Sequence, residues 1–157
     1  MPVKPIPDGY PAVTPYLIVA GAARAIDFYK HAFGATETMR LDGPNGLAHA
    51  EIRIGGSVVM LADESPDMGY KGPRSYGGTS VSLMLYVDAV DATFQRALDA
   101  GATQQRAVQE QFYGDRSGTL EDPFGHVWTL ATHVEDVAPD EIDRRLAAMN
   151  AGAGAPP

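Results

Sequence analysis

Two stretches of this 157-residue chain read as copies of one another. Residues 19–36, VAGAARAIDFYKHAFGAT, and 87–103, VDAVDATFQRALDAGAT, both open on Val and close on Gly-Ala-Thr. The offset is 68 residues at the start and 67 at the end. An internal repeat of this kind constrains the fold more than any composition does, because two like units must each be buried by the same means. Each copy follows an extended apolar run, VTPYLIV at 13–19 or SVSLMLYV at 80–87. Each then carries apolar residues at helical spacing: Ile26, Tyr29 and Phe33 in the first, Val90, Phe94 and Leu98 in the second. Gly34 and Gly101 stand where a helix C-cap glycine is expected.

Extended segments follow each helix. ATETMRL (35–41) leads to LAHAEIRI (47–54), then Gly55-Gly56, then SVVMLAD (57–63). Gly-Gly between alternating runs signals a two-residue hairpin. In the second half TQQRAVQ (103–109) leads to DRSGTLE (115–121), the turn Asp122-Pro123-Phe124-Gly125, and HVWTLATH (126–133). Pro presets φ in such a turn and Gly takes a position needing positive φ. The predicted fold is therefore α+β, β-α-β-β-β twice. Module one spans 12–63 and module two 80–134, together one domain over 1–134. The Gly- and Pro-rich stretch 64–79 is read as the linker, doubling as a lid. Residues 135–157 hold a short helix, 139–149, and a small-residue tail expected to be flexible.

The apolar fraction of 45% suits a globular chain. A net charge of −8 with no basic run argues against nucleic acid or an anionic membrane as partner. No apolar run approaches a membrane span, and the start MPVKPIPDGYP lacks the apolar core of a signal peptide, so the cytoplasm is the expected location. Cysteine is absent, which removes thiolate ligands, disulfides and a Cys nucleophile. There is no GxSxG elbow and no phosphate-cradling glycine motif.

The motifs AIDFYKHAFGA (25–35), VSLMLYVDAVDATFQRALDAGA (81–102) and LEDPFGHVWTL (120–130) make the chain resemble the vicinal oxygen chelate superfamily over residues 14–134. That superfamily includes glyoxalase I, extradiol dioxygenases and fosfomycin- and bleomycin-resistance proteins. AHAEIRIGGS with YGDRSGTLEDPFGHVWTLATHVEDV looks most like its PhnB-like branch. The resemblance implies half-barrel modules with helices outside, a ligand cup on the concave side, and a homodimer. It also implies four metal-ligand positions in the metal-dependent members. Here these fall on Thr14, Met60, Ser82 and Thr129. Neutral hydroxyls and a thioether are poor ligands for Zn, Ni, Mn or Fe(II), so no cofactor is expected there.

Strand alternation then sorts side chains by face. With those four positions inward, Tyr16, Ile18, Met84 and Tyr86 also face the cup. Val13, Leu17 and Val19, and Val81, Leu83, Leu85 and Val87, face the helices. The Gly55-Gly56 hairpin pairs Ile54 with Ser57, Arg53 with Val58, Glu51 with Met60 and His49 with Ala62. Paired residues share a face, so His49, Glu51 and Arg53 line one wall of the cup. If 122–125 is a four-residue loop, Arg116 pairs with Ala131 and Gly118 with Thr129. Arg116 then points inward, while His126 and Trp128 point to the helices. Phe112 and Tyr113 are placed on the rim.

Two classes of function follow. One is a metal-free binding protein whose cup takes a flat or amphipathic small molecule, including sequestration of an antibiotic, as in resistance members of the superfamily. In it Tyr16, Tyr86 and Met84 give contact area, while His49, Glu51 and Arg116 orient the ligand. The other is an enzyme of glyoxalase, lyase or isomerase type, with His49 or Glu51 as base and Arg116 stabilising an oxyanion. A divalent metal displaced onto His49 and Glu51 is a variant of the second. The stripe Ile142, Leu146 and Met149 on the terminal helix is a candidate dimer contact.

Overall fold

The computed structural model describes residues 3–153. Module one runs β1 (Tyr16–Val19), α1 (Ala22–Phe33), β2 (Thr36–Gly43), β3 (Gly46–Ile54) and β4 (Ser57–Asp63). After a connecting segment containing a 3-10 turn (Pro66–Met68) and α2 (Pro73–Tyr76), the pattern recurs. Module two runs β5 (Ser82–Tyr86), α3 (Val90–Asp99), β6 (Thr103–Glu110), β7 (Asp115–Glu121) and β8 (Val127–His133), and α4 (Pro139–Ala153) follows. The sheets are ordered β1-β4-β3-β2 and β5-β8-β7-β6. In each, the first and last strands pair in parallel and the others antiparallel. The repeat read from the sequence is thus a repeat of topology.

The helices form because their apolar spacing has a sheet to cover. Ala22, Ala25, Ile26, Tyr29, Ala32 and Phe33 of α1 are buried against Leu17, Val19, Ala50, Ile52, Val59 and Leu61. Gly34 closes α1 in the left-handed region (φ 68), its N–H donating to the Tyr29 carbonyl. Gly101 lies one residue past the α3 cap Ala100. The two helix starts are held at equivalent places by different chemistry. The Asp63 carboxylate accepts from the N–H groups of Gly21 (2.8 Å) and Ala22 (2.9 Å). The Thr132 hydroxyl accepts from Val90 N–H (3.0 Å) and donates to the Val87 carbonyl (2.7 Å).

One buried carboxylate joins the halves. Asp122 accepts from the Tyr29 hydroxyl (2.5 Å), Trp128 Nε1 (3.0 Å) and the N–H groups of Phe124 (2.9 Å) and His126 (3.0 Å). Trp128 packs against Tyr29 and Phe33, at centroid separations of 5.5 and 5.0 Å. A helix of module one therefore rests on the turn and last strand of module two. Arg96 of α3 adds a bond to the Ala32 carbonyl of α1 (3.2 Å).

Several sequence expectations are corrected. The β7–β8 register is Glu121 with Val127, Leu120 with Trp128, Thr119 with Thr129, Ser117 with Ala131 and Arg116 with Thr132. Asp122 N–H donates to the His126 carbonyl, and Gly125 lies at φ 93, so the loop has three residues closed by Asp122 and His126. Shortening the loop by one moves every β7 side chain to the other face. Arg116 therefore stands on the helix side, where its guanidinium pairs with Asp91 of α3 through two bonds of 2.8 Å. Val13 and Val81 are exposed because the strands begin three and one residues later, respectively. His126 closes the loop one residue before β8, and its Nε2 meets the Ile18 carbonyl (3.0 Å). The terminal helix extends to Ala153, into the tail expected to be flexible; residues 154–157 lie outside the described residues.

The Arg116–Asp91 pair is half-buried at Arg116 and exposed at Asp91. Pairs this close to solvent contribute little to stability. Arg116→Ala is expected to move the urea midpoint only slightly and to leave binding on the opposite face of the sheet unchanged; a large loss of affinity in a calorimetric titration would return Arg116 to the site.

Candidate functional site

The concave face of module one is set by the Gly55-Gly56 hairpin. Gly55 has φ 57, and the pairs Ile54–Ser57, Arg53–Val58 and Glu51–Met60 are those the two-residue loop requires. Across the sheet, Met39 pairs with Glu51, Leu41 with His49, and Tyr16 with Met60. Tyr16, Met60, Glu51 and Met39 thus form one row, with His49 beside it.

These side chains are joined in a line. The Tyr16 hydroxyl lies 2.8 Å from His49 Nδ1, and His49 Nε2 lies 3.1 Å from Glu51 Oε1. Glu51 Oε2 accepts from the Tyr10 hydroxyl at 2.5 Å. Glu51 is buried, and its carboxyl is held below the usual range by the Tyr10 hydrogen bond, with His49 and Arg53 adding to it against the opposing effect of burial. An ionised carboxylate only accepts, so the proton on His49 belongs on Nε2 and Nδ1 accepts from Tyr16. Burial raises the Tyr16 phenol, with the Glu51 carboxylate adding to it, so it keeps its proton at neutral pH.

Tyr10 was not visible as a site residue in the sequence. It arrives on the N-terminal segment, which crosses the sheet and is fastened where Arg53 donates to the Gly9 carbonyl (3.0 Å). The signal that could have found it is the burial of Glu51 itself, since a buried carboxylate calls for more donors than one histidine.

A cavity of about 500 Å³ opens at the end of this line. Its walls include Tyr16 and Ile18 of β1, the β2–β3 tip from Gly43 to Ala48, and Met68 and Tyr70 of the connecting segment. The tip is drawn in by Asp63, whose second oxygen accepts from Leu47 N–H (2.7 Å). Glu64, also in the wall, is taken up by Gly72 N–H (2.7 Å) and the Ser75 hydroxyl (2.5 Å). Both acids are thus occupied, and among the described residues the wall holds no Lys, Arg or His.

The structure brings Tyr16, His49, Glu51 and Met60 together, with Arg53 at the edge. It does not bring them to the candidates of module two within the chain. Ser82, Met84, Tyr86 and Thr129 are not in the wall of that cavity. Met84 and Tyr86 stand exposed on their own sheet, and Thr129 bonds Thr119 across the β7–β8 pair (3.0 Å). Thr14 precedes β1 and donates to the Pro11 carbonyl (3.3 Å). Phe112 and Tyr113 pack edge to face in the β6–β7 loop, and the Phe112 carbonyl accepts from Arg145 of α4 (3.2 Å).

The four family metal positions offer three hydroxyls and a thioether, a donor set that does not suit a divalent transition metal. His49 has both nitrogens engaged, and among the described residues no group of three His, Asp or Glu is arranged to hold a metal ion.

Module two has a cluster of its own. His133 Nδ1 meets Asp115 Oδ1 (2.8 Å), its Nε2 meets Asp136 Oδ1 (2.9 Å), and the Tyr86 hydroxyl donates to Asp115 (2.9 Å). Hydrogen bonds to Asp136 and Asp115 raise the His133 imidazole above its ordinary value. A raised folded value means its contribution is complete below about pH 6.5 and is lost as pH rises through the folded value. NMR titration is expected to show His133 titrating above an ordinary histidine and moving down in Asp136→Asn; equal values in both proteins would contradict the pairing.

The sequence model of the Glyoxalase/Bleomycin resistance protein/Dioxygenase superfamily matches residues 11–130. An uncharacterized Mycobacterium bovis protein, Mb0911c, is 50% identical over 146 residues, covering 90% of this chain and 96% of that one. The crystal structure of the Arabidopsis thaliana At5g48480 product superposes with a TM-score of 0.63 at 28% identity, over 78% of this chain and 98% of that one. TioX from Micromonospora sp. ML1 superposes at 0.61 with 24% identity, over 82% and 100%, a likeness of fold.

Proposed function

From the premise that the chain belongs to the Glyoxalase/Bleomycin resistance protein/Dioxygenase superfamily, we propose that it binds a flat or amphipathic small molecule on the concave face of module one, with no metal at the family positions. The observation that carries this reading is the cavity of about 500 Å³ bounded by Tyr16, Ile18, Leu47, Met68 and Tyr70. That is the size and lining of a small-molecule site, apolar with few polar groups to orient the ligand. With no cation in the wall, the preferred ligand is neutral or positively charged, and sequestration of such a compound, an antibiotic among them, is the biological role that fits. A homodimer in the cytoplasm is the working form. Met39, Leu41, Met84 and Tyr86 leave both concave faces with exposed apolar groups, which a second copy would cover.

Thermal shift and calorimetric titration with bleomycin, mitomycin and uncharged planar compounds test the binding. A saturable rise in melting temperature that is weakened in a Met68→Asp, Tyr70→Asp variant is the expected result. Indifference to every neutral and cationic compound, with binding of anions instead, would sink it. Sedimentation equilibrium at micromolar concentration tests the dimer.

A further inference from the structure

We propose that Tyr16 is a catalytic acid–base residue driven by the Glu51–His49 pair, and that the cavity it lines takes an uncharged flat molecule and moves a proton on it. The inference rests on the binding reading above and adds a reaction to it.

The hydrogen-bond line decides which group meets the ligand. Glu51 spends one oxygen on Tyr10 and the other on His49. His49 spends both nitrogens, on Glu51 and on Tyr16. Neither is in the wall of the cavity, so of the three it is Tyr16 that meets a molecule bound there. Tyr16 is different. Its single proton is committed to His49, its oxygen keeps lone pairs, its side chain is 48% exposed, and it forms part of the cavity wall. A carboxylate orienting an imidazole that accepts from a hydroxyl is the arrangement by which serine is activated in hydrolases. Here a phenol occupies the hydroxyl position.

The step balances without a co-reactant. Tyr16 Oη takes a proton from the ligand as its own proton passes to His49 Nδ1. The imidazolium so formed sits beside ionised Glu51, and the proton returns along the same line, to another atom of the ligand in a proton shift or to water where the product leaves as an anion. The reaction class is a proton shift or an elimination on a neutral molecule. His49 and Glu51 are positioning residues.

The probe is 5-nitrobenzisoxazole, flat and uncharged. Loss of its C–H proton opens the N–O bond and gives a coloured phenolate. Its unreactive analogue 5-nitroindazole reports binding. Both are measured on the full chain and on Tyr16→Phe, whose folding is checked by melting temperature. Binding of the analogue to both proteins, with turnover at least about tenfold faster in the unsubstituted chain, is the expected result. Equal rates with retained binding would overturn the relay and spare the binding reading. Failure of the analogue to bind either protein would count against both. A second measurement needs no substrate: nitrogen-15 NMR is expected to find His49 protonated on Nε2, with that preference lost in Glu51→Gln. A proton on Nδ1, pointing at Tyr16, would refute the relay directly.

Discussion

Replacing Asp122 by alanine is expected to cost about 3–5 kcal/mol. Asp122 is 1% exposed and accepts four hydrogen bonds, two from side chains that are themselves buried. Its removal strands the Tyr29 hydroxyl and the Trp128 indole N–H in the core, each at about 1–3 kcal/mol, and frees the turn as well. Tyr29→Phe removes a donor together with its need, and should cost only about 1 kcal/mol. Against a domain stability of about 5–15 kcal/mol, that loss is a large fraction of the whole. Urea denaturation of the two variants checks the ordering. Equal losses would mean that the hydroxyl, not the carboxylate, is the organising group.

Gly46→Ala is expected to be nearly as damaging, and to act on the cavity. Gly46 has φ 127, a conformation that an L side chain rarely adopts, at about 1–3 kcal/mol. A methyl group there would also sit well inside contact distance of the Asp63 carboxylate. That carboxylate cannot retreat without losing Leu47, Gly21 or Ala22, bonds to a charged group worth about 1.5–3 kcal/mol each. The β2–β3 tip should lift away and widen the cavity. The expected result is a loss of about 3–5 kcal/mol together with weakened ligand binding; Gly56→Ala, where added atoms meet open space, is the control. Unchanged ligand affinity in Gly46→Ala would show that the tip is not part of the site.

The parts legible in the sequence were those with a local cause. The repeat disclosed the topology because each helix and its flanking strands carry their own periodicity. Gly55-Gly56 fixed its register because a two-residue loop leaves one way to pair. The second hairpin misled by one residue because Asp-Pro-Phe-Gly is compatible with loops of three and four residues. The side chain of Asp122, which also takes the His126 N–H, selects the shorter. That single step carried Arg116 from the cup to the helix face. Tyr10 was hidden for another reason. The segment before β1 has no periodicity, and its place is decided by a carboxylate 41 residues away. The separation of the two concave faces was equally invisible, since alternation assigns a residue to a face and does not say which faces meet.

The contact between Tyr29 and Asp122 spans 93 positions of the chain and ties the first repeat to the last turn of the second. Neither half can complete its own interior: module one supplies the helix, module two the acceptor and the indole beneath it. A duplicated architecture would otherwise invite stepwise melting. Here calorimetry should record one endotherm whose measured and van't Hoff enthalpies agree, and a chain cut between Gly77 and Gly78 should regain structure when its two pieces are mixed, as a complementing pair.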